Sequence, residues 1–205
     1  MTPSQDASLE HVSASLSRDA ITAAAIDFIE QHGLERLTMR ALAERLECGT
    51  MSLYRYIANR DDLVDAVIEE LVRRSAIPEM ATLRFENWQE MSVAAILAYK
   101  ELAAAYPGSF ELLALAPYDA APVSTHIALM AQALQNTGLA ERQAYEIISG
   151  LDAYATGYLI VWARAQRRSE AADAVAPEQL RKLRDLDEFE RGLRVFIAGY
   201  EATLH

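Results

Sequence analysis

LTMRALAERLECGTMSLYRYIANRDDLVDAV, residues 37–67, reads as two short helices and the opening of a longer one. Thr38 is an N-cap residue type, and Leu37 before it and Leu42 after it have the spacing of a hydrophobic staple. The helix that Thr38 opens ends near Leu46, Glu47 to Gly49 turn the chain, and a second short helix covers about Thr50 to Tyr56. The segment IANRDD breaks the pattern before a helix through LVDAVIEELVRRS. Two short helices separated by a tight turn and preceded by a capped helix fit a helix-turn-helix. Ala43 supplies the small residue where the pair crosses, and Leu42, Leu46 and Leu53 are spaced to lock it together. The second helix of such a pair presents its N-terminal side chains to base edges in the major groove.

Upstream, Ser17 is a good N-cap, and Ile21, Ala24, Ala25, Phe28 and Ile29 recur at helical spacing until Gly33 stops the helix. Residues 1–16 are polar without periodicity and read as a mobile arm. Pro78 marks a boundary, after which the pattern predicts helices over 87–106, 109–115, 123–135, 141–167 and 187–203. The Ala-rich stretch Ser169 to Ala176 reads as a loop. No segment sustains strand alternation. The expected fold is all-α, with the arm at 1–16, a DNA-binding domain at 17–62, a connecting helix at 63–75, and a ligand-binding and dimerisation domain at 76–205.

A net charge of −11 argues at first against nucleic acid. The charge is uneven, however. Arg36 to Arg60 holds five Arg against two Glu, a local +3 that leaves −14 for the rest. A basic patch binds phosphates even on an acidic molecule, whose remainder limits non-specific binding. A single cysteine, Cys48, excludes an intramolecular disulfide and reads as a small buried hydrophobe. The start, MTPSQDASLE, lacks the features of a secretory signal, and no apolar run approaches the ~20 residues of a membrane span. A cytoplasmic protein without membrane contact is expected.

The stretch 37–67 resembles the DNA-binding region of the TetR family of transcriptional regulators. Leu53, Tyr54, Tyr56, Asn59, Arg60 and Leu63 follow the family's order of Leu-Tyr, a second aromatic, Asn, a basic residue and Leu. FELLALAP, NTGLAERQAYE and LDAYATGYLI resemble, more weakly, the ligand-binding half of the tetracycline-repressor type. By position, the resemblance implies that Thr38 touches a phosphate and that Arg40 reaches a phosphate or a guanine edge. It implies base contacts for Thr50, Met51 and Ser52, hydroxyl-to-phosphate contacts for Tyr54 and Tyr56, and a phosphate partner for Arg60; Arg55 reaches either bases or backbone. Thr38 is an N-cap in either case, and Met51 and Tyr56 also admit a core role. The turn departs from the family, with Glu47, Cys48 and Gly49 where it has Gly, an apolar residue and Ser or Thr. A Glu at positive φ costs of order 1 kcal/mol.

In the C-terminal half, Ser149, Gly150, Ala153 and Gly157 lie along one helix, and Gly192 and Gly199 along another. Small residues at this spacing serve close helix packing, either within the chain or across a dimer, and the resemblance favours an intersubunit four-helix bundle. Tyr99, His126, Tyr154, Tyr158 and Trp162 are candidate linings of a pocket for a mostly apolar small-molecule effector. His126 has no second histidine nearby in sequence, so neither tetracycline nor a metal is carried over, and no cofactor is expected. No phosphate loop, nucleophile motif or metal-ligand spacing supports an enzyme. The reading is a repressor that binds a near-palindromic double-stranded DNA operator as a homodimer and is released by its effector. An activator or corepressor-dependent regulator, and a helical protein-interaction module without DNA binding, remain as alternatives.

Overall fold

The computed structural model describes residues 16–80, 82–167, 182–183 and 185–203. Among them are ten α-helices and no strand. They are α1 (Arg18–His32), α2 (Met39–Arg45), α3 (Thr50–Leu53), α4 (Arg60–Arg74), α5 (Ile77–Met80), α6 (Trp88–Ala105), α7 (Phe110–Ala114), α8 (Ala121–Asn136), α9 (Glu141–Gln166) and α10 (Leu186–Thr203), with one 3-10 turn at Leu34–Arg36. The all-α expectation is met. Residues 1–15 of the expected arm and the expected loop at Ser169 to Ala176 lie outside the described residues, while Leu16 packs on the core.

Local chemistry sets the ends of the first helices. The Ser17 side chain accepts from the Ala20 amide at the start of α1, and Gly33, at φ 91°, ends it while donating its N–H to the Ile29 carbonyl at 2.8 Å. Thr38 caps α2 by accepting from the Ala41 amide at 3.1 Å. The α4 helix starts earlier than its apolar pattern suggests, because Asn59 accepts from the Asp62 amide at 2.9 Å and so opens a turn that contains Asp61 and Asp62. Both acids suit the positive end of a helix. Pro78 and Pro122, which the sequence marks as breaks, sit instead in the first turns of α5 and α8, where a missing amide hydrogen is harmless.

The first three helices pack around Ile21, Ile26, Leu37, Leu42, Leu53 and Ile57, all essentially without exposure. This head is tied to the base of α4 by Arg18, which donates to both carboxylate oxygens of Asp62 at 2.6 and 3.1 Å and to the Tyr56 carbonyl at 3.1 Å. The Arg18 hydrogen bond, reinforced by the Ala58 amide, holds the Asp62 carboxyl below its ordinary pKa. In the rest of the chain α9 is the central element, packed against α6, α7, α8 and α10.

The α4 helix lies between the two parts, against α1 on one side and α7 and α8 on the other. It also meets the end of α6 through Arg74, which donates to the Tyr106 hydroxyl at 3.0 Å and lies over its ring. One hydrophobic core runs from α1 to α10. No helix among the described residues is long and apolar enough to cross a membrane.

Candidate functional site

The end of the head around α3 carries a set of outward side chains that its core does not use. Met51 is 78% exposed, Tyr54 44% and Tyr56 37%. Arg40, Arg55 and Arg60 are exposed, as is Thr38, while Thr50 and Ser52 are half-buried. An inward role for Met51 or Tyr56 therefore does not hold here. Arg40 is not free in this state: its Nε donates to Glu44 at 2.9 Å, in an exposed pair of little energetic weight. Arg60 begins α4, at the helix end that disfavours a cation. The α3 helix is only four residues long, against the expected 50–56. Leu53 and Ile57 are both fully buried, and the Tyr56 and Ile57 amides both bond the Leu53 carbonyl, at 2.9 and 3.0 Å. That convergence tightens the chain after α3 and turns Tyr54, Arg55 and Tyr56 to solvent.

The turn before α3 is as strained as its sequence suggests. Glu47 has φ 52°. Cys48 is half-buried against the core, with its amide bonded to the Ala43 carbonyl at 3.0 Å. Gly49 precedes α3 without a side-chain cap. A left-handed Glu costs ~1–2 kcal/mol, offset by ~0.4–1 kcal/mol of extra unfolded-chain entropy when Gly replaces it. Glu47→Gly is thus expected to stabilise the protein by up to about 1 kcal/mol and to raise the thermal midpoint by roughly 2–4 °C. An unchanged or lower midpoint in a calorimetric scan would sink that account.

A cavity of about 120 Å³ lies among α4, α6, α7, α8 and α9. Its walls are mostly apolar, with Val72, Ile96, Leu113, Met130 and Leu151 contributed by five helices. Two of the expected residues line it, Tyr99 and His126. Burial pushes the Tyr99 phenol well up and holds the His126 imidazole below its ordinary value, so His126 is neutral at pH 7. Sequence reading misses a polar group of the lining, Asp152. It receives a hydrogen bond from the Tyr118 hydroxyl and another, at 3.4 Å, from Thr156. The Tyr118 phenol is pushed up to about 12 by its bond to Asp152, and burial raises the Asp152 carboxyl itself. Ser92 also lines the cavity, and its buried hydroxyl has no hydrogen-bond partner.

The other three pocket candidates do not line this cavity. Tyr154 stacks on Phe189 and Phe196 of α10 and donates to the Phe189 carbonyl at 2.7 Å. Tyr158 meets Phe189 and donates to the Asp185 carbonyl at 2.6 Å, and Trp162 packs on the core. All three follow one another at helical spacing along α9, and the hydroxyls of Tyr154 and Tyr158 are satisfied by α10 and the chain before it. Among the described residues no group of three or more His, Cys, Asp and Glu could hold a metal ion.

The small residues divide in the same way. A Cβ at Gly150 would collide with the Tyr200 hydroxyl and one at Gly192 with the Tyr154 hydroxyl, so these two glycines let α9 and α10 approach within the chain. Of the two uses the sequence allows, these glycines serve the one within the chain. At Gly157 and Gly199 a Cβ meets nothing within 4 Å. Tyr145, Ser149, Ala153, Gly157 and Val161 form an exposed row at four-residue spacing on α9, and Val195, Ala198 and Gly199 of α10 are exposed as well.

Head and cavity are joined by Glu30, which sequence reading does not single out. From α1 its carboxylate accepts from the Gly108 and Ser109 amides, each at 2.8 Å, and from the Ser109 hydroxyl at 2.6 Å. These groups stand at the entry of α7, whose Leu113 and Ala114 line the cavity. A side chain at position 108 would come within 3.0 Å of Glu30 and the Ile29 carbonyl, so glycine permits this approach.

Residues 21–67 match the family described as bacterial regulatory proteins, tetR family. An HTH-type transcriptional regulator of Saccharopolyspora erythraea is 20% identical over 92% of this chain and 86% of its own. The class D tetracycline repressor protein of Escherichia coli is 24% identical over 93% of this chain and 88% of its own. Among solved structures, the TetR family protein ActR of Streptomyces coelicolor, in complex with actinorhodin, superposes with a TM-score of 0.72 at 23% identity, covering 93% of this chain and 97% of that one. That last likeness is one of fold. The resemblance to the TetR family, which residues 37–67 suggest by themselves, is borne out.

Proposed function

We propose that this chain, whose residues 21–67 match the tetR family of bacterial regulatory proteins, is a ligand-responsive transcriptional repressor. It binds a near-palindromic operator as a cytoplasmic homodimer and leaves it when a small molecule enters the cavity. Residues 17–62 read DNA, 63–75 connect, and 76–205 sense ligand and dimerise. The observation that carries this reading is the outward set on the head: Met51, Tyr54, Arg55, Tyr56 and Arg60 are exposed beside a core complete without them. Thr50, Met51 and Ser52 face base edges, and Met51 suits a thymine methyl. Thr38, Arg40, Tyr54, Tyr56 and Arg60 hold phosphates, and Arg55 takes either role. A phosphate beside Arg60 would offset the unfavourable helix end on which it sits.

The dimer joins through the exposed row on α9 and its neighbours on α10, which places two heads on one side of the duplex about one turn, ~34–36 Å, apart. Tyr99 and His126 contact the ligand, whose size and polarity suit a largely apolar cavity. The name of one relative, a tetracycline repressor, and the actinorhodin bound to another support repression and small-molecule sensing in this chain.

Selection from a random double-stranded DNA pool at about 0.15 M salt tests this reading. A near-palindrome with a fixed half-site spacing is the expected product; no enrichment would overturn it. On the recovered operator, Arg60→Gln is expected to weaken binding similarly across operator variants. It should also lower the slope of log affinity against log salt by about one per head. A sequence-selective loss, or an unchanged slope, would remove Arg60 from the phosphate contacts.

A further inference from the structure

Taking the cavity as a ligand site, as above, we propose that its ligand is a small cation: an apolar body of about one ring with a single protonated amine that pairs with Asp152. The walls dictate the sign. Among the described residues that line the cavity there is no Lys or Arg, and the titratable side chains are Tyr99, Tyr118, His126 and Asp152. The two phenols and the buried imidazole are neutral at pH 7. Asp152 is therefore the one lining side chain able to carry charge, and that charge is negative.

A carboxylate turned into an apolar space without a cation is costly. Two hydroxyls offset part of that cost, from Tyr118 on one oxygen and Thr156 on the other. A carboxylate has about four acceptor positions, so capacity remains for an ammonium donor. An anionic ligand would bring like charge against Asp152 with no lining cation to receive it. The unpartnered Ser92 hydroxyl, on α6 facing the same cavity, offers a second polar contact. Size limits the body. The space of about 120 Å³ is close to the ~150 Å³ of an engineered apolar cavity that takes up benzene.

Benzylamine and benzyl alcohol differ at the point that matters, since the amine is protonated at pH 7 and the alcohol is neutral. Titration calorimetry of the full-length protein with each probe is expected to show the amine binding about tenfold more tightly, as suits a hydrogen bond to a charged group. In Asp152→Asn, which keeps the shape and the Tyr118 partner, that preference is expected to vanish while alcohol binding persists. Equal binding of the two probes to the unaltered protein would overturn the cation proposal and leave the ligand site standing, whether or not the variant folds. A preference that survives Asp152→Asn would overturn the role of Asp152. No heat from either probe at millimolar concentration would overturn the ligand site itself, and the proposal with it.

Discussion

Ala153→Arg is expected to yield a folded monomer whose operator affinity is lower by two orders of magnitude or more. Ala153 is exposed at the centre of the α9 row, so an arginine there disturbs no contact within the chain. Across a two-fold axis the row meets itself, and each added guanidinium would face its symmetry mate in a closely packed apolar seam. Like charges buried without partners are not tolerated in such a place. The loss at the operator follows from linkage rather than from any DNA contact. Binding of the second head becomes intramolecular once the first is bound, and linked sites commonly gain about 10²–10⁴ in this way. Sedimentation velocity reads the mass, and titration of a labelled operator reads the affinity. A variant that remains dimeric, or a monomer that binds the operator as tightly as the parent, would refute the placement of the interface on α9 and α10.

The head was legible because its signals are local. Ser17 and Thr38 each cap a helix through a side chain three residues from the amide it serves, and such a contact is readable from spacing alone. The aromatic pair Tyr54 and Tyr56 was legible as a pattern, but its exposure was not. Exposure depends on Leu53 and Ile57 both turning inward and ending α3 early. Glu47 was legible in the same local way, since its place in the turn flagged both a positive φ and a cost of order 1 kcal/mol.

The cavity was harder, because helical spacing tells which residues share a face and not which neighbour covers it. Tyr154 and Tyr158 share a face of α9, and α10 covers it. Asp152 lies on another side of the same helix and lines the cavity, and one acidic residue in a helix that also carries Glu141 and Glu146 gives no sequence signal. Gly150 and Gly192 were placed on the correct helices with their partner left open, because a small residue fits a close approach from either side. Glu30 meets residues 108 and 109 across more than 70 positions of chain, and nothing local announces such a pairing.

Glu30→Gln is expected to lower operator affinity by about 5–150-fold with no ligand present, the range of a coupling of 1–3 kcal/mol. In the parent protein the Glu30 carboxylate serves three donors at the entry of α7: two amides and the Ser109 hydroxyl. Ser109 is fully buried, so water does not readily replace a lost partner. Gln has one oxygen where Glu has two, and its NH₂ would face a donor. A buried donor left unpaired costs about 1–3 kcal/mol. The entry of α7 should then shift away from α1, and α7 carries Leu113 and Ala114 of the cavity wall. The α4 helix, packed against both α1 and α7, would move with them and change the angle at which the head meets DNA. A ligand that displaces α7 from within would act on the same contact, so the variant mimics the ligand-bound state. Titration of the selected operator measures the effect, with thermal unfolding in parallel to separate it from a general loss of fold. If Glu30→Gln unfolds in two-state fashion near the parent midpoint and still binds the operator as tightly as the parent, Glu30 does not couple the two sites.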